Sequence, residues 1–202
     1  MTESLRDALS TLLSGERPQL VVIAGSNGAG KTTFYEAYLD AVPLPFVNSD
    51  RIAKQIAPDD PAHVAYEAAR IADQVRRSLL DERRSFIMET VFSDPEGDEL
   101  AFLREATDAG YAVVLLFVGI NGSDLSVLRV QQRAAEGGHD VPIDKLQQRF
   151  PRTLANLAAA FEFVELALII DNSSVDVPFR HVATWQHGGE TFRAANPPHW
   201  CP

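Results

Sequence analysis

The chain reads as an α/β protein built on a mostly parallel sheet with helices on both faces. Three observations carry that reading. Between residues 19 and 173, short apolar runs alternate with segments of helical periodicity, the pattern of repeated strand–helix units. Tyr111 to Ile120 is apolar nearly throughout, as expected of a central parallel strand covered on both faces. A glycine-rich stretch, Gly25-Ser26-Asn27-Gly28-Ala29-Gly30-Lys31-Thr32, stands between the apolar run Leu20–Ala24 and a helical segment.

Taken in order, residues 2–14 form an amphipathic helix with Leu5, Leu9, Leu12 and Leu13 on one face, expected to pack against the main domain. Strand 1 covers 19–24 and helix 1 runs from Lys31 to Asp40. Pro45 to Ser49 is a short second strand ending at Asp50. Asp60-Pro61 has the form of a helix start; that helix runs to Leu80, with Val64, Ala68, Ile71, Val75 and Leu79 as its stripe. Ser85 to Met88 is the third strand, with Glu89 and Thr90 at its C-terminal end. Asp94-Pro95 starts a helix that Gly110 closes.

Strand 4 is followed by a helix over 123–136 and a break at Gly137 to Val141. Pro142 opens the last long helix. Its apolar spacing continues across Pro151, so the proline is expected to kink the helix rather than end it. Leu166 to Ile170 is the fifth strand. Phe179–Gln186 and Thr191–Arg193 form an edge hairpin around Gly188-Gly189, and the residues from Pro197 onward form a loose tail. The expected architecture is one domain over 1–202: a core at 19–173 with a five-stranded sheet, a helical lid, and a hairpin and tail at 175–202.

Bulk properties narrow the function classes. Net charge is −10, which disfavours a protein that tracks long nucleic acid. Apolar residues make up 46% without any run long enough to span a membrane. There is no basic-then-apolar leader. The single cysteine, Cys201, can form no internal disulfide. A reducing cytoplasm fits these features.

The glycine-rich stretch follows G-x-x-x-x-G-K-[ST] in strand–loop–helix context, the phosphate-binding P-loop. Its glycines let the backbone approach a ligand closely. Successive N–H groups make an anion nest at a helix N-terminus. Lys31 is expected on the β- and γ-phosphates and the Thr32 hydroxyl on Mg2+. The expected ligand is a nucleoside triphosphate; the alternative is a glycine-rich turn that binds nothing.

Three further groups lie at the carboxyl ends of strands or beside the P-loop, where such sheets bind ligands. Asp50 is either the carboxylate that orients an acceptor hydroxyl and takes its proton, or an Asx cap of the following turn. Glu89 either joins the Mg2+ shell through water or binds a substrate hydroxyl with Thr90; otherwise it caps the next turn. Arg129 and Arg133, with Lys145, Arg149 and Arg152 beyond the glycine break, read as a lid over triphosphate. The alternative is solvated helix faces with pairs such as Arg133–Glu136. His139 lies in the same loop, either as a phosphate donor or as a surface histidine.

Taken together, Gly25 to Thr33, Asn48-Ser49-Asp50, Glu89-Thr90-Val91-Phe92-Ser93 and Gly137 to Pro142 resemble the zeta toxin family. Arg149 to Leu157 is similar to its compact bacterial branch. The resemblance implies a P-loop kinase fold and ATP- or GTP-dependent phosphorylation of a nucleotide sugar such as UDP-N-acetylglucosamine. It also implies a cognate antitoxin as partner. By motif, Gly25 to Thr33 would bind the nucleotide, with Lys31 on phosphate and Thr32 on Mg2+. Asp50 would be the base, Glu89 and Thr90 would face the substrate, and Arg129 and Arg133 would clamp the phosphates. Two other readings stand beside this one: a kinase of another small metabolite or antibiotic, and a nucleotide-binding switch without phosphoryl transfer.

Overall fold

A computed structural model describes residues 17–136 and 141–202. The expected helix over 2–14, and the stretch Gly137 to Asp140 with His139, lie outside the described residues. Seven strands form one sheet: β1 (Gln19–Ala24), β2 (Phe46–Val47), β3 (Phe86–Thr90), β4 (Ala112–Gly119), β5 (Leu166–Asp171), β6 (Arg180–Gln186) and β7 (Gly189–Arg193). Their order is β2-β3-β1-β4-β5-β6-β7. The first five pair in parallel, β6 pairs antiparallel with β5, and β7 pairs antiparallel with β6. The five expected parallel strands are present, and the hairpin extends the same sheet to seven. Its turn is His187-Gly188, both at positive φ, rather than Gly188-Gly189. That two-residue loop matches the twist of the flanking strands.

The helices are α1 (Lys31–Tyr38), α2 (Ser49–Ile56), α3 (Ala65–Asp81), α4 (Asp98–Asp108), α5 (Ser123–Ala135) and α6 (Ile143–Ala160). Strand alternation sorts the core into two layers. Leu20, Val22, Val113, Leu115, Ala167 and Ile169 face a layer closed by Leu79 and Leu80 of α3, Leu103 of α4 and Leu157 of α6. Val21, Ile23, Val114, Leu116, Leu168 and Ile170 face the other, which Phe34, Tyr35 and Leu39 close. Both faces of the central strands are therefore buried, which explains their uninterrupted apolar sequence.

Several boundaries differ from expectation for identifiable reasons. β2 is only two residues long, because Asn48 leaves the strand and caps α2, accepting the Arg51 amide at 2.9 Å. Asp60 accepts from the His63 amide in a turn, and α3 begins five residues later. The buried stripe of α3 is Ala68, Ala72, Leu79 and Leu80, while Val75 is exposed. Asp94 accepts from the amides of Glu96, Gly97 and Glu99, so it builds the turn before α4 rather than capping it directly. α6 continues through Pro151. The tail is not loose: Trp200 is 7% exposed and lies against Phe117.

Candidate active site

The site gathers at the carboxyl ends of β1 and β3. Register sets Ile23 beside Glu89 and Ala24 beside Thr90, so the loop leaving β1 passes over both residues. Gly25 has φ +148, and a Cβ there would lie 2.1 Å from Val118 O of β4; only glycine lets the loop leave the sheet here. Gly30, at φ +92, turns the chain into α1. Two side chains, one from α5 and one from the end of β5, hold the loop. Ser126 Oγ donates to Asn27 O at 2.7 Å, and Asn172 Nδ2 donates to Ala29 O at 2.8 Å. Arg129 Nη1 reaches Gly28 O at 3.4 Å. Ser26 Oγ and Asn27 Oδ1 are buried without a hydrogen-bond partner, which is unusual in a folded protein away from a binding site.

Lys31 is buried. Its Nζ donates to Gly25 O at 2.9 Å and to Ser26 O at 3.2 Å, and Glu89 Oε1 lies at 3.9 Å. An ammonium has three N–H donors, so one remains beyond the two loop carbonyls. Burial pushes its pKa below the usual lysine value, while Glu89 and Asp50 pull it back up and Arg133 adds to the lowering. That balance also shows that Asp50 and Arg133 lie within electrostatic reach of the P-loop lysine.

Glu89 is the hub of the site. It accepts from Thr32 Oγ1 at 3.1 Å and from Asn48 Nδ2 at 2.8 Å, and among the described residues it caps no turn. Asp50 sits in the first turn of α2, where Asn48 already provides the cap. No hydrogen bond to its carboxylate occurs among the described residues, and it is exposed. The capping alternatives for Asp50 and Glu89 are therefore removed. Thr90 Oγ1 donates to Glu99 Oε1 and accepts from the Phe92 amide. Phe92 is fully buried at φ +59, a strained geometry of the kind found beside functional sites.

A cavity of about 380 Å3 opens on the far side of Glu89. Ser49, Thr90, Ser93 and Glu99 line it, together with Arg76, Arg149 and Arg152. Arg129 thus stands at the P-loop, whereas Arg149 and Arg152 stand at this cavity. The sequence reading did not assign functional contacts to Asn48, Ser126, Asn172 or Arg76. Asn172 could have been found, since it directly follows an apolar parallel strand at the rim. Arg76 carried no local signal.

These features define a protein of the P-loop kinase fold. The zeta toxin family model matches residues 2–181, and the chain belongs to that family. An uncharacterized protein of Haemophilus influenzae is 29% identical over 130 residues, 64% of this chain and 91% of that protein. The AvrRxo1-ORF1:AvrRxo1-ORF2 structure with sulphate ions matches with TM-score 0.60 at 17% identity, over 94% of this chain and 68% of that one. The same complex has been crystallised with ATP. A chain of the PezAT chromosomal toxin–antitoxin system of Streptococcus pneumoniae matches with TM-score 0.59 at 15% identity, over 91% and 80%. At these identities the structural likeness is one of fold.

Proposed function

We propose that the protein is a kinase that transfers the γ-phosphate of ATP or GTP to a hydroxyl of a nucleotide sugar such as UDP-N-acetylglucosamine. The observation that carries this reading is Glu89. One carboxylate touches the P-loop lysine, the P-loop threonine and the residue that caps the Asp50 helix. Donor loop and acceptor-side strand thereby share one charged cluster, with a cavity of about 380 Å3 on the acceptor side. Family membership and the ATP complex of a fold relative support the same reading.

In this reading the amides of Gly25 to Thr33 cradle the triphosphate, Lys31 turns its free N–H to the β- and γ-phosphates, and Arg129 and Arg133 neutralise charge from α5. Thr32 and Glu89 supply oxygens that fit Mg2+, which is ordinarily held by few protein ligands plus waters and phosphates. When bound, the ion neutralises charge on the β- and γ-phosphate oxygens. Asp50 orients the acceptor hydroxyl and takes its proton as the new O–P bond forms, the bond to the β-phosphate oxygen breaks and the nucleoside diphosphate leaves. Glu89, Thr90 and His139 would contact the acceptor. An antitoxin partner follows from the same family reading. No helix among the described residues is long and apolar enough to cross a membrane.

The test is incubation with Mg-ATP and UDP-N-acetylglucosamine, followed by mass spectrometry. A sugar nucleotide one phosphate heavier, absent with Lys31→Ala, supports the proposal. ATP binding without such a product sends the acceptor assignment to another hydroxyl compound.

A further inference from the structure

Thr90 ends β3 beside Glu89, and its hydroxyl is nearly used up. A threonine hydroxyl has one proton to give and two lone pairs that can receive. Thr90 Oγ1 receives the Phe92 amide at 2.9 Å and gives its proton to Glu99 Oε1. One lone pair remains, on a side chain that lines the cavity beyond Glu89. Both partners are held in place. Phe92 is fully buried at positive φ. Glu99 stands in the first turn of α4, which Asp94 holds by accepting the Glu96, Gly97 and Glu99 amides.

Glu99 decides which way the hydroxyl points. While its Oε1 accepts, Thr90 can meet a substrate only with a lone pair. A proton on Oε1 would reverse the sense: Glu99 would donate to Oγ1, fill the second lone pair and turn the Thr90 O–H outward. Glu99 Oε2 is buried without a hydrogen-bond partner, so a proton on this carboxyl finds its acceptor at Thr90. Burial disfavours the Glu99 charge most; the Thr90 hydroxyl and Arg76 of α3 favour it, and the Asp94 carboxylate before α4 opposes it. Glu89 of β3 and Arg149 and Arg152 of α6 line the same cavity, and Glu99 lies within electrostatic reach of Lys31.

We propose that Glu99 is a positioning residue that, acting through Thr90, makes this edge of the cavity a hydrogen-bond acceptor and so selects a substrate presenting an O–H or N–H there. The inference rests on the kinase reading of the site and deepens it. Glu89 and Asp50 add carboxylate oxygens on the same side, so three neighbouring groups accept hydrogen bonds. That arrangement fits a polyhydroxy compound. It disfavours one that offers only an ether or carbonyl oxygen at Thr90, since lone pair would then face lone pair.

The sense of the bond is read first, without ligand, by 13C NMR titration of the glutamate carboxyls, Glu99 being the signal lost in Glu99→Gln. Thr90→Val removes a donor to the charged form, so the Glu99 pKa should rise, and Thr90→Ser should keep the wild-type value. A fall or no change in Thr90→Val overturns the proposal. The substrate side is read by calorimetric titration of UDP-N-acetylglucosamine into the full chain loaded with Mg2+ and a non-hydrolysable ATP analogue. Thr90→Val should weaken binding at least about threefold, the low end for a hydrogen bond, and Thr90→Ser should restore it. All variants should hold the ATP analogue within about threefold of wild type, which controls for folding. Wild-type affinity for the sugar nucleotide should rise with pH through the Glu99 pKa, and Glu99→Gln and Thr90→Val should both lack that step. Unchanged binding in Thr90→Val, or the same pH profile in wild type and Glu99→Gln, overturns the selection. The kinase reading fails separately. The NMR shift without binding of UDP-N-acetylglucosamine leaves Glu99 in control of Thr90 and removes that acceptor. Phosphorylation with the same pH profile of KM in Glu99→Gln does the reverse.

Discussion

Asn48 holds two groups at once: its Nδ2 donates to Glu89 Oε2 at 2.8 Å, and its Oδ1 accepts the Arg51 amide at 2.9 Å. One side chain thus ties the central carboxylate to the first turn of α2, where Asp50 stands. Asn48→Ala should lose the cap, at about 1 kcal/mol, and leave Glu89 short of a donor. Asn48→Asp keeps a capping oxygen but sets a second carboxylate against Glu89. Phosphoryl transfer should therefore fall in both variants, with Asn48→Asp losing less stability than Asn48→Ala relative to its loss of activity. Urea unfolding alongside steady-state kinetics checks this.

Gly25 and Gly97 separate close approach from conformational strain. Both have positive φ, but a Cβ at Gly25 meets Val118 O at 2.1 Å and one at Gly97 meets nothing within 4 Å. Gly97→Ala should cost about 1–2 kcal/mol, from left-handed backbone alone. Gly25→Ala should cost about 3 kcal/mol or more, because a backbone carbonyl of β4 cannot move aside cheaply. It should also abolish ATP binding. Denaturant unfolding and nucleotide titration read the two effects.

The C-terminal segment is a structural strap. Trp200 packs on Phe117, and a Cβ at Gly119 would lie 2.1 Å from its ring. Trp200→Ala should destabilise by about 3–5 kcal/mol. Trp200→Phe should cost far less, since the indole Nε1 has no hydrogen-bond partner to lose. Unfolding midpoints of the two variants test this directly.

Glu99 supplies a pH dependence. Burial raises its pKa above the ordinary 4.5, against the opposing effects of Thr90, the backbone near Asp94 and Arg76. A raised native pKa means its stabilising contribution is full below the unfolded value and is lost as pH rises through the native one. Glu99→Gln should therefore raise Tm relative to wild type at pH 8, and the gain should vanish near pH 4. Thermal melts at the two pH values decide it.

The parallel sheet and the P-loop were legible because both are written in contiguous residues. Apolar runs mark strands buried on both faces, and the glycine–lysine–threonine spacing marks the anion nest. Asp50 and Glu89 were legible as strand-end acids, although their capping alternatives could be dismissed only once Asn48 was seen to cap α2 and Asp94 to hold the turn before α4. The boundaries of β2 and α3 were not legible, since Asn48 and Asp60 bind backbone amides that a periodicity reading does not see. Trp200 was missed because Pro197-Pro198 looks like the start of a free tail, whereas its docking partner, Gly119, lies 81 residues earlier. Arg149 and Arg152 were recognised, with Lys145, as sharing one helix face. Which part of the site they face depends on Thr153 and Asn156 binding the loop after β3, a tertiary contact without local signature.

Asp50 tests the account most directly. ATP affinity and the rate of phosphoryl transfer to UDP-N-acetylglucosamine should be measured side by side for wild type and Asp50→Asn. The account predicts that transfer falls by about 10²–10⁴, the usual worth of a positioned general base, while the ATP Kd changes by less than about threefold. Transfer by Asp50→Asn at the wild-type rate would contradict it.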